Sequence, residues 1–395
     1  MTEQRHEDWD PRAASVQKDQ IGAYDDMRER CPVAWSDYQQ WTLFRHADVM
    51  AVLEDHDTFS NAVSAHLSVP NGMDPPEHTP YRKVIEPYFA PEPMARFEPI
   101  CREIARGLVS QLAKGETVDV VDALSRPFAL HIQCAFMGWP ERLHEPLAEW
   151  VRKNHRATLA RDRDAMAAVA QEFDGYITDM LETRRLAGDQ APDDVTTSLM
   201  REQVNGKPMT DDELVSLMRN WTVGELATIS ASVSILLNYL ARHPALVADL
   251  KAAPELLPEA IDEILRMDAP LISNRRVTTR EVEIGGRTIP AGEKITILWA
   301  SANRDEAEFG NPDSYCPHQN ASKNLLYGAG IHICPGAPLA RMELQVFMEE
   351  FLKQIDSVQA VEGQQPERAM FPTGGFNHLP LQLVGSDPNK KPRQA

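Results

Sequence analysis

Residues Leu326-Tyr-Gly-Ala-Gly-Ile-His-Ile-Cys-Pro-Gly-Ala-Pro-Leu-Ala-Arg341 hold one cysteine, Cys334, inside a glycine-rich turn. Beyond it Leu339, Met342, Val346 and Phe347 recur at helical spacing, so a helix is expected to begin just after the cysteine. A helix start offers unpaired amides and the positive end of the macrodipole, a setting that stabilises a thiolate. Gly328, Gly330 and Gly336 suit a chain that bends tightly and lets a large flat ligand approach. No Cys or His stands at C-x-x-C spacing, which argues against a tetrahedral zinc site. One thiolate with an open axial side suits haem iron. The rival readings are a buried structural cysteine and a regulatory Cys-Pro haem site, since Pro335 follows Cys334.

The stretch resembles the haem-binding loop of cytochrome P450, Phe-Gly-x-Gly-x-His-x-Cys-x-Gly-x-x-Leu-Ala-Arg. Tyr327 stands at the Phe position and every other fixed position matches. The resemblance implies haem b as cofactor and Cys334 as the proximal iron ligand, with Gly328, His332 and Gly336 against the haem.

Length and charge set the outer bounds. With 395 residues, 43% of them hydrophobic, the chain can bury a sizeable core. Lys and Arg number 40 against 59 Asp and Glu, a net charge of −19, which argues against nucleic acid or an anionic membrane surface as partner. The five cysteines are scattered, as expected in a reducing cytoplasm. Residues 1–20 lack the apolar core of a signal peptide, and no apolar run is read as long enough to span a bilayer. Residues 1–17 are expected to form a flexible arm, 18–384 a single haem-binding domain, and 385–395 a flexible tail.

Further motifs fall in the order the resemblance requires. In Asp74-Pro-Pro-Glu-His-Thr-Pro-Tyr-Arg82, His78 and Arg82 are four apart and share a helix face. The resemblance makes them haem propionate ligands, and Arg276, in a strand-like stretch, a third. Thr210 and Glu213 have capping-box spacing, and nothing breaks the helix they open until His243-Pro244, a span of about 50 Å. Counting back from that end puts Thr228 at the family's central threonine, but the residue before it is Ala227 instead of an acid. Glu225 lies one turn earlier on the same face, so Thr228 and Glu225 are the candidate proton-delivery residues. Glu263 and Arg266 match the family's structural Glu-x-x-Arg pair, with His318 where a third, Arg member is usual. Polar, Arg-rich residues 154–163 are expected to form a lid. From Arg276 to Trp299 the chain reads as short strands, and two helical stretches, Met94–Met137 and Leu143–Ala187, fill the middle.

The expected fold is therefore mainly α with a small β region, a long helix over the haem and the Cys loop beneath it. The expected function is a bacterial monooxygenase that hydroxylates or O- or N-dealkylates a small hydrophobic substrate with O2. Leu67, Val69, Met218, Trp221, Thr222, Leu271, Phe371 and Phe376 are the expected pocket lining. No flavin or iron–sulfur pattern follows Leu383, so electrons are expected from a ferredoxin and ferredoxin reductase, docking near Lys323, Arg341 and Arg102. The alternatives are an H2O2-driven peroxygenase, encouraged by Ala227, and a haem sensor.

Overall fold

The structure, a computed structural model, describes residues 6–112, 115–160, 162–369, 371 and 373–385. Nearly all of the expected C-terminal tail, the first five residues and Arg161 of the expected lid lie outside the described residues.

The capping box forms as its spacing requires. Thr210 Oγ1 accepts from the Glu213 amide at 3.3 Å, and Glu213 Oε2 accepts from the Thr210 amide at 2.7 Å. Behind it runs a 32-residue helix, Asp211–Arg242, the central helix from here on. Its C-terminal half is buried almost throughout, from Ala231 to Leu240, and the helix as a whole packs on helices Arg126–Met137, Arg163–Ala187 and Leu257–Met267. This helix corrects one expectation: an 18-residue window in it has a mean hydropathy of 1.4, so by length and composition it could cross a membrane. Most of the apolar window is buried inside the protein, the ordinary state of a helix through the middle of a core.

The largest apolar cluster draws on side chains from Val69 to Leu383. The helix after the Cys loop, Ala337–Gln354 (the proximal helix), packs chiefly on Pro91–Ser110, with Phe347 and Phe351 fully buried.

The β region is small, as expected. A five-stranded sheet runs in the order Val33–Ser36, Gln40–Leu43, Lys294–Leu298, Ser273–Thr278, Phe59–Ser60. Gln40–Leu43 pairs parallel with Lys294–Leu298, Trp41 opposite Ile295, and the other pairings are antiparallel. A second sheet, Ile355–Ala360, Pro380–Gly385 and Thr117–Asp119, includes a strand inside a stretch that reads as helical. Those three residues pair with Pro380–Gln382, far along the chain, so local periodicity gives no sign of them.

The N-terminal segment also departs from the expected flexible arm. Trp9 is 8% exposed, its ring 5.2 Å from Phe44 and 6.4 Å from Tyr24. The Asp8 carboxylate accepts from the Trp35 amide at 2.7 Å, and helix Ala14–Lys18 follows. One buried tryptophan thus fastens a polar segment whose composition alone reads as loose.

Candidate active site

The Cys loop is shaped by backbone constraints. The Cys334 amide donates to Tyr327 O at 2.9 Å, and the Ala340 amide donates to Gly336 O at 2.9 Å as the proximal helix begins. Gly330 has φ +70°, and a Cβ there would meet Leu53 O at 2.2 Å, so only glycine lets the loop lie against helix His46–Glu54. Arg341 lies over the Tyr327 ring at 4.4 Å and pairs with Asp262 at 2.9 Å.

Cys334 is a free thiol and exposed, yet burial by surrounding protein is the main cause pushing its pKa up; the Gly336 and Ala337 amides and the Arg82 charge pull it down. Exposure and desolvation together put the sulfur on the wall of an interior hollow. The central helix has an open stretch in its buried course as well. Gly224 is exposed with nothing within 4 Å of an added Cβ, and Glu225, Ala227 and Thr228 are half-buried. Thr228 Oγ1 donates to Gly224 O at 2.9 Å, the ordinary back-bond of a helical threonine.

Basic groups gather beside the loop, and of His78, Arg82, Arg276 and His332 only Arg82 has a carboxylate ion pair, with Glu86. The rings of His78 and His332 lie 4.3 Å apart, and the Nε2 atom of each is buried with no hydrogen-bond partner among the described residues. Arg276 is 4% exposed, and its guanidinium donates to the carbonyl of its neighbour Arg275 at 2.8 Å. Burial pulls its pKa down to about 10, opposed by the Asp74 charge. Burial, then His78 and Arg276, pushes His332 down to about 3. Arg82 donates to Glu86 at 2.8 Å and to the Ile333 carbonyl at 2.6 Å. Buried donors and cations without counter-charges fit a ligand that brings anions, and the open Cys334 fits a metal. The residues present therefore fit haem b.

A cavity of about 350 Å³ adjoins the central helix at Leu226, Ala227, Ser230 and Ala231. Phe371 and Phe376 line it as expected; Thr373 lines it too, and its backbone bridges to Leu271 behind it. Its other side carries Arg126, Arg152, His155 and Arg156, the last three within the expected lid or just before it. Six of the eight expected lining residues, Leu271 among them, do not line it. Met218 is fully buried in the main core, Thr222 Oγ1 accepts from Gln133 Nε2 at 2.9 Å, and Trp221 packs among Phe89, Tyr88 and Phe136. Position along the helix decides this: Met218, Trp221 and Thr222 lie one to two turns before Leu226–Ala231, the stretch that reaches the cavity. Val69 is buried in the main core, its amide donating to Ser216 Oγ at 2.9 Å, and Leu67 is 43% exposed.

Glu263 and Arg266 form a buried pair at 2.8 Å. Arg266 also donates to Asn303 O at 2.7 Å and Pro312 O at 3.1 Å, while Glu263 Oε1 accepts from Asn320 Nδ2 at 2.7 Å. Asn320, which the sequence reading missed, completes the network. His318 instead pairs with Glu259 at 2.6 Å and is 73% exposed. The suggested docking cations are each engaged: Lys323 with Glu308, Arg341 with Asp262, and Arg102 with Glu98, Glu349 and Glu350. Glu343 was also missed. Its one local signal is a carboxylate set inside the apolar stripe Leu339, Met342, Val346.

Comparison with known proteins agrees with this geometry. The family model described as "Cytochrome P450" matches residues 143–382. The erythromycin C-12 hydroxylase of Saccharopolyspora erythraea is 31% identical over 379 residues, 92% of this chain and 94% of that protein. The linalool 8-monooxygenase of Pseudomonas putida is 28% identical, with 91% and 94% covered. Among solved structures, a mutant of P450 EryK in complex with erythromycin B superposes with a TM-score of 0.84 at 28% identity, covering 94% of this chain and 98% of that one. A Bacillus megaterium P450 in complex with corticosterone gives 0.83 at 26% identity, with 93% and 99% covered. With the Cys loop, the long helix and the basic cluster in their places, the chain belongs to the cytochrome P450 family, the haem b monooxygenases.

Proposed function

We propose that this protein hydroxylates or dealkylates a small, largely hydrophobic substrate, with electrons delivered by an external ferredoxin and its reductase. Cys334 would hold the haem iron, and His78, Arg82, Arg276 and His332 would receive the propionates. Bound there, haem supplies the binding and reductive cleavage of O2. The rest falls to side chains of this chain. Phe371, Phe376 and Leu226 offer the substrate apolar surface and exclude water. Thr228 releases its bond to Gly224 O and turns its hydroxyl into the hollow as a hydrogen-bond donor. Glu225, one turn away, supplies the proton that Ala227 cannot. Relatives act on compounds as unlike as erythromycin and linalool, so this substrate is inferred from the cavity and not from theirs.

The observation that carries the reading is Cys334 open to an interior hollow beside His78 and His332, whose buried Nε2 atoms lack partners among the described residues. Its test is the CO spectrum of the dithionite-reduced protein. A strongly red-shifted Soret band in the wild type, lost in Cys334→Ala, is expected; an ordinary histidine-type band in the wild type would overturn it. Ala227 favours a second reading, turnover driven by H2O2, which a comparison of peroxide with a ferredoxin system under equal substrate distinguishes.

A further inference from the structure

The cavity beside the central helix is lined by two unlike kinds of side chain. Phe371, Phe376, Leu226 and Ala231 are apolar, whereas Arg12, Arg126, Arg152, His155 and Arg156 are basic. Among the described residues no Asp or Glu lines it. The chain holds 59 acids against 40 Lys and Arg, so a wall with four arginines and no carboxylate runs against its composition. A cavity lined by one sign of charge focuses the field and draws in the opposite sign.

The arginines reach the wall from three separate parts of the chain. Trp9 fastens the N-terminal segment, and Arg12 just beyond it lies over the Tyr38 ring at 5.3 Å. Arg126 opens helix Arg126–Met137 and donates to the carbonyl of Asn377, another lining residue, at 3.3 Å. Arg152 and Arg156 lie four apart on helix His144–Ala160 and so share a face. Burial, then the charge of Arg126, pushes the His155 pKa down, opposed by Glu367, so His155 stands near Arg126 as a neutral imidazole at pH 7.

Their counter-charges come from outside the cavity wall. Arg12 pairs with Asp10 at 3.4 Å, Arg152 with Glu145 at 3.0 Å and Glu149 at 2.8 Å, Arg156 with Glu149 at 2.9 Å, and Arg126 with Asp122. These acids are between 40% and 84% exposed, and ion pairs so exposed contribute little and exchange readily. A guanidinium also has more donors than one carboxylate uses.

We propose that the substrate is an amphipathic monocarboxylate, with its apolar body against Phe371, Phe376 and Leu226 and its carboxylate on Arg126. Arg12, Arg152 and Arg156 form the cationic rim that draws it in. Arg126 is the least exposed of the four, at 33%, and its planar fork matches the two oxygens of a carboxylate. At about 350 Å³ the cavity is at the lower end of ligand pockets, which suits a body of medium length. This substrate class rests on the monooxygenase reading for its fate, but not for its binding.

Titration calorimetry of the ferric holoenzyme tests it with octanoate, decanoate and 4-phenylbutyrate, each against the neutral primary amide of the same body. At least one acid is expected to bind about 10-fold or more tightly than its amide. Added NaCl should weaken the acid and leave the amide unchanged. Arg126→Gln should cost the acid about 10- to 100-fold while the amide stays within about 3-fold. Arg30→Gln, at an exposed arginine that does not line the cavity, should change neither. If Arg126→Gln does not fold, Arg152→Gln combined with Arg156→Gln decides, and should lower the preference for the acid. No acid binding more tightly than its amide, or a preference unchanged in the variants, would overturn the assignment. Octyl phosphate binding more tightly than octanoate would overturn carboxylate as the head group. A thiolate CO band in a protein without the acid preference would sink this substrate class and leave the monooxygenase reading standing. The acid preference without that band would sink the monooxygenase reading and leave a carboxylate-binding cavity.

Discussion

Arg82 Nη2 donates to the carbonyl of Ile333 at 2.6 Å, fastening helix His78–Ile85 to the residue before Cys334. Arg82 therefore positions the loop as well as standing among the basic groups beside it. Its side chain is only 12% exposed and also pairs with Glu86, so one guanidinium ties the helix to both partners.

Arg82→Ala should cost about 1.5–3 kcal/mol, the range for a charge-assisted hydrogen bond. Arg82→Lys should recover little, because an ammonium cannot hold Glu86 and Ile333 O with one planar fork. The CO spectrum checks the consequence: a larger share of the protein should show the non-thiolate band as Cys334 loses its fixed position.

Arg276 invites a prediction whose sign depends on the cofactor. A buried cation without a carboxylate partner destabilises the haem-free protein, so Arg276→Gln should raise the melting temperature of that form. In the haem-loaded form the same change removes a charge-assisted bond of about 1.5–3 kcal/mol. Haem loss to an acceptor globin should then be roughly 10- to 150-fold faster. Equal shifts of one sign in both forms would show that Arg276 does not face an anion.

How much of this was legible in the sequence follows the range of each interaction. The Cys loop and the central helix are local: a fixed motif around Cys334, and a capping box followed by unbroken apolar periodicity. Trp9 was not legible, because its burial depends on Phe44 and Tyr24, which share no motif with it. The pocket was legible only in part. Phe371 and Phe376 belong to a glycine turn whose Gly375 Cβ position would lie 2.9 Å from Ala231 Cα, so they had to meet the central helix. Met218, Trp221 and Thr222 required knowing which turns of that helix meet the cavity, which its apolar pattern does not fix, since it is buried on several sides. Glu343 gains its meaning only from Glu225 on another helix.

Stability should vary with pH through Glu343. Burial, then the Glu225 charge, raises its folded-state pKa well above the unfolded value of 4.5. Between the unfolded and folded values the native state holds a proton that the unfolded chain has lost, so stability falls as pH rises across that window. Above the folded value the dependence flattens. Urea midpoints at a series of pH values should show this decline in the wild type, and Glu343→Gln should weaken it.

The network at Glu263 yields an ordering of variants. Glu263→Gln keeps the shape but leaves the Arg266 guanidinium, 0% exposed, without a counter-charge, so a loss of about 3–5 kcal/mol is expected. Arg266→Lys should be comparably severe, since one ammonium cannot reach Glu263, Asn303 O and Pro312 O together. Asn320→Ala removes one bond to a charged acceptor and should cost about 1.5–3 kcal/mol. His318→Ala breaks only an exposed pair with Glu259 and should cost between 0 and about 1 kcal/mol. Denaturant midpoints of these four variants decide which residue completes the network. A loss at His318 equal to that at Asn320 would mean that the histidine reaches Glu263 in solution. The expected gap arises because Asn320 bonds a buried carboxylate while His318 meets its partner in water.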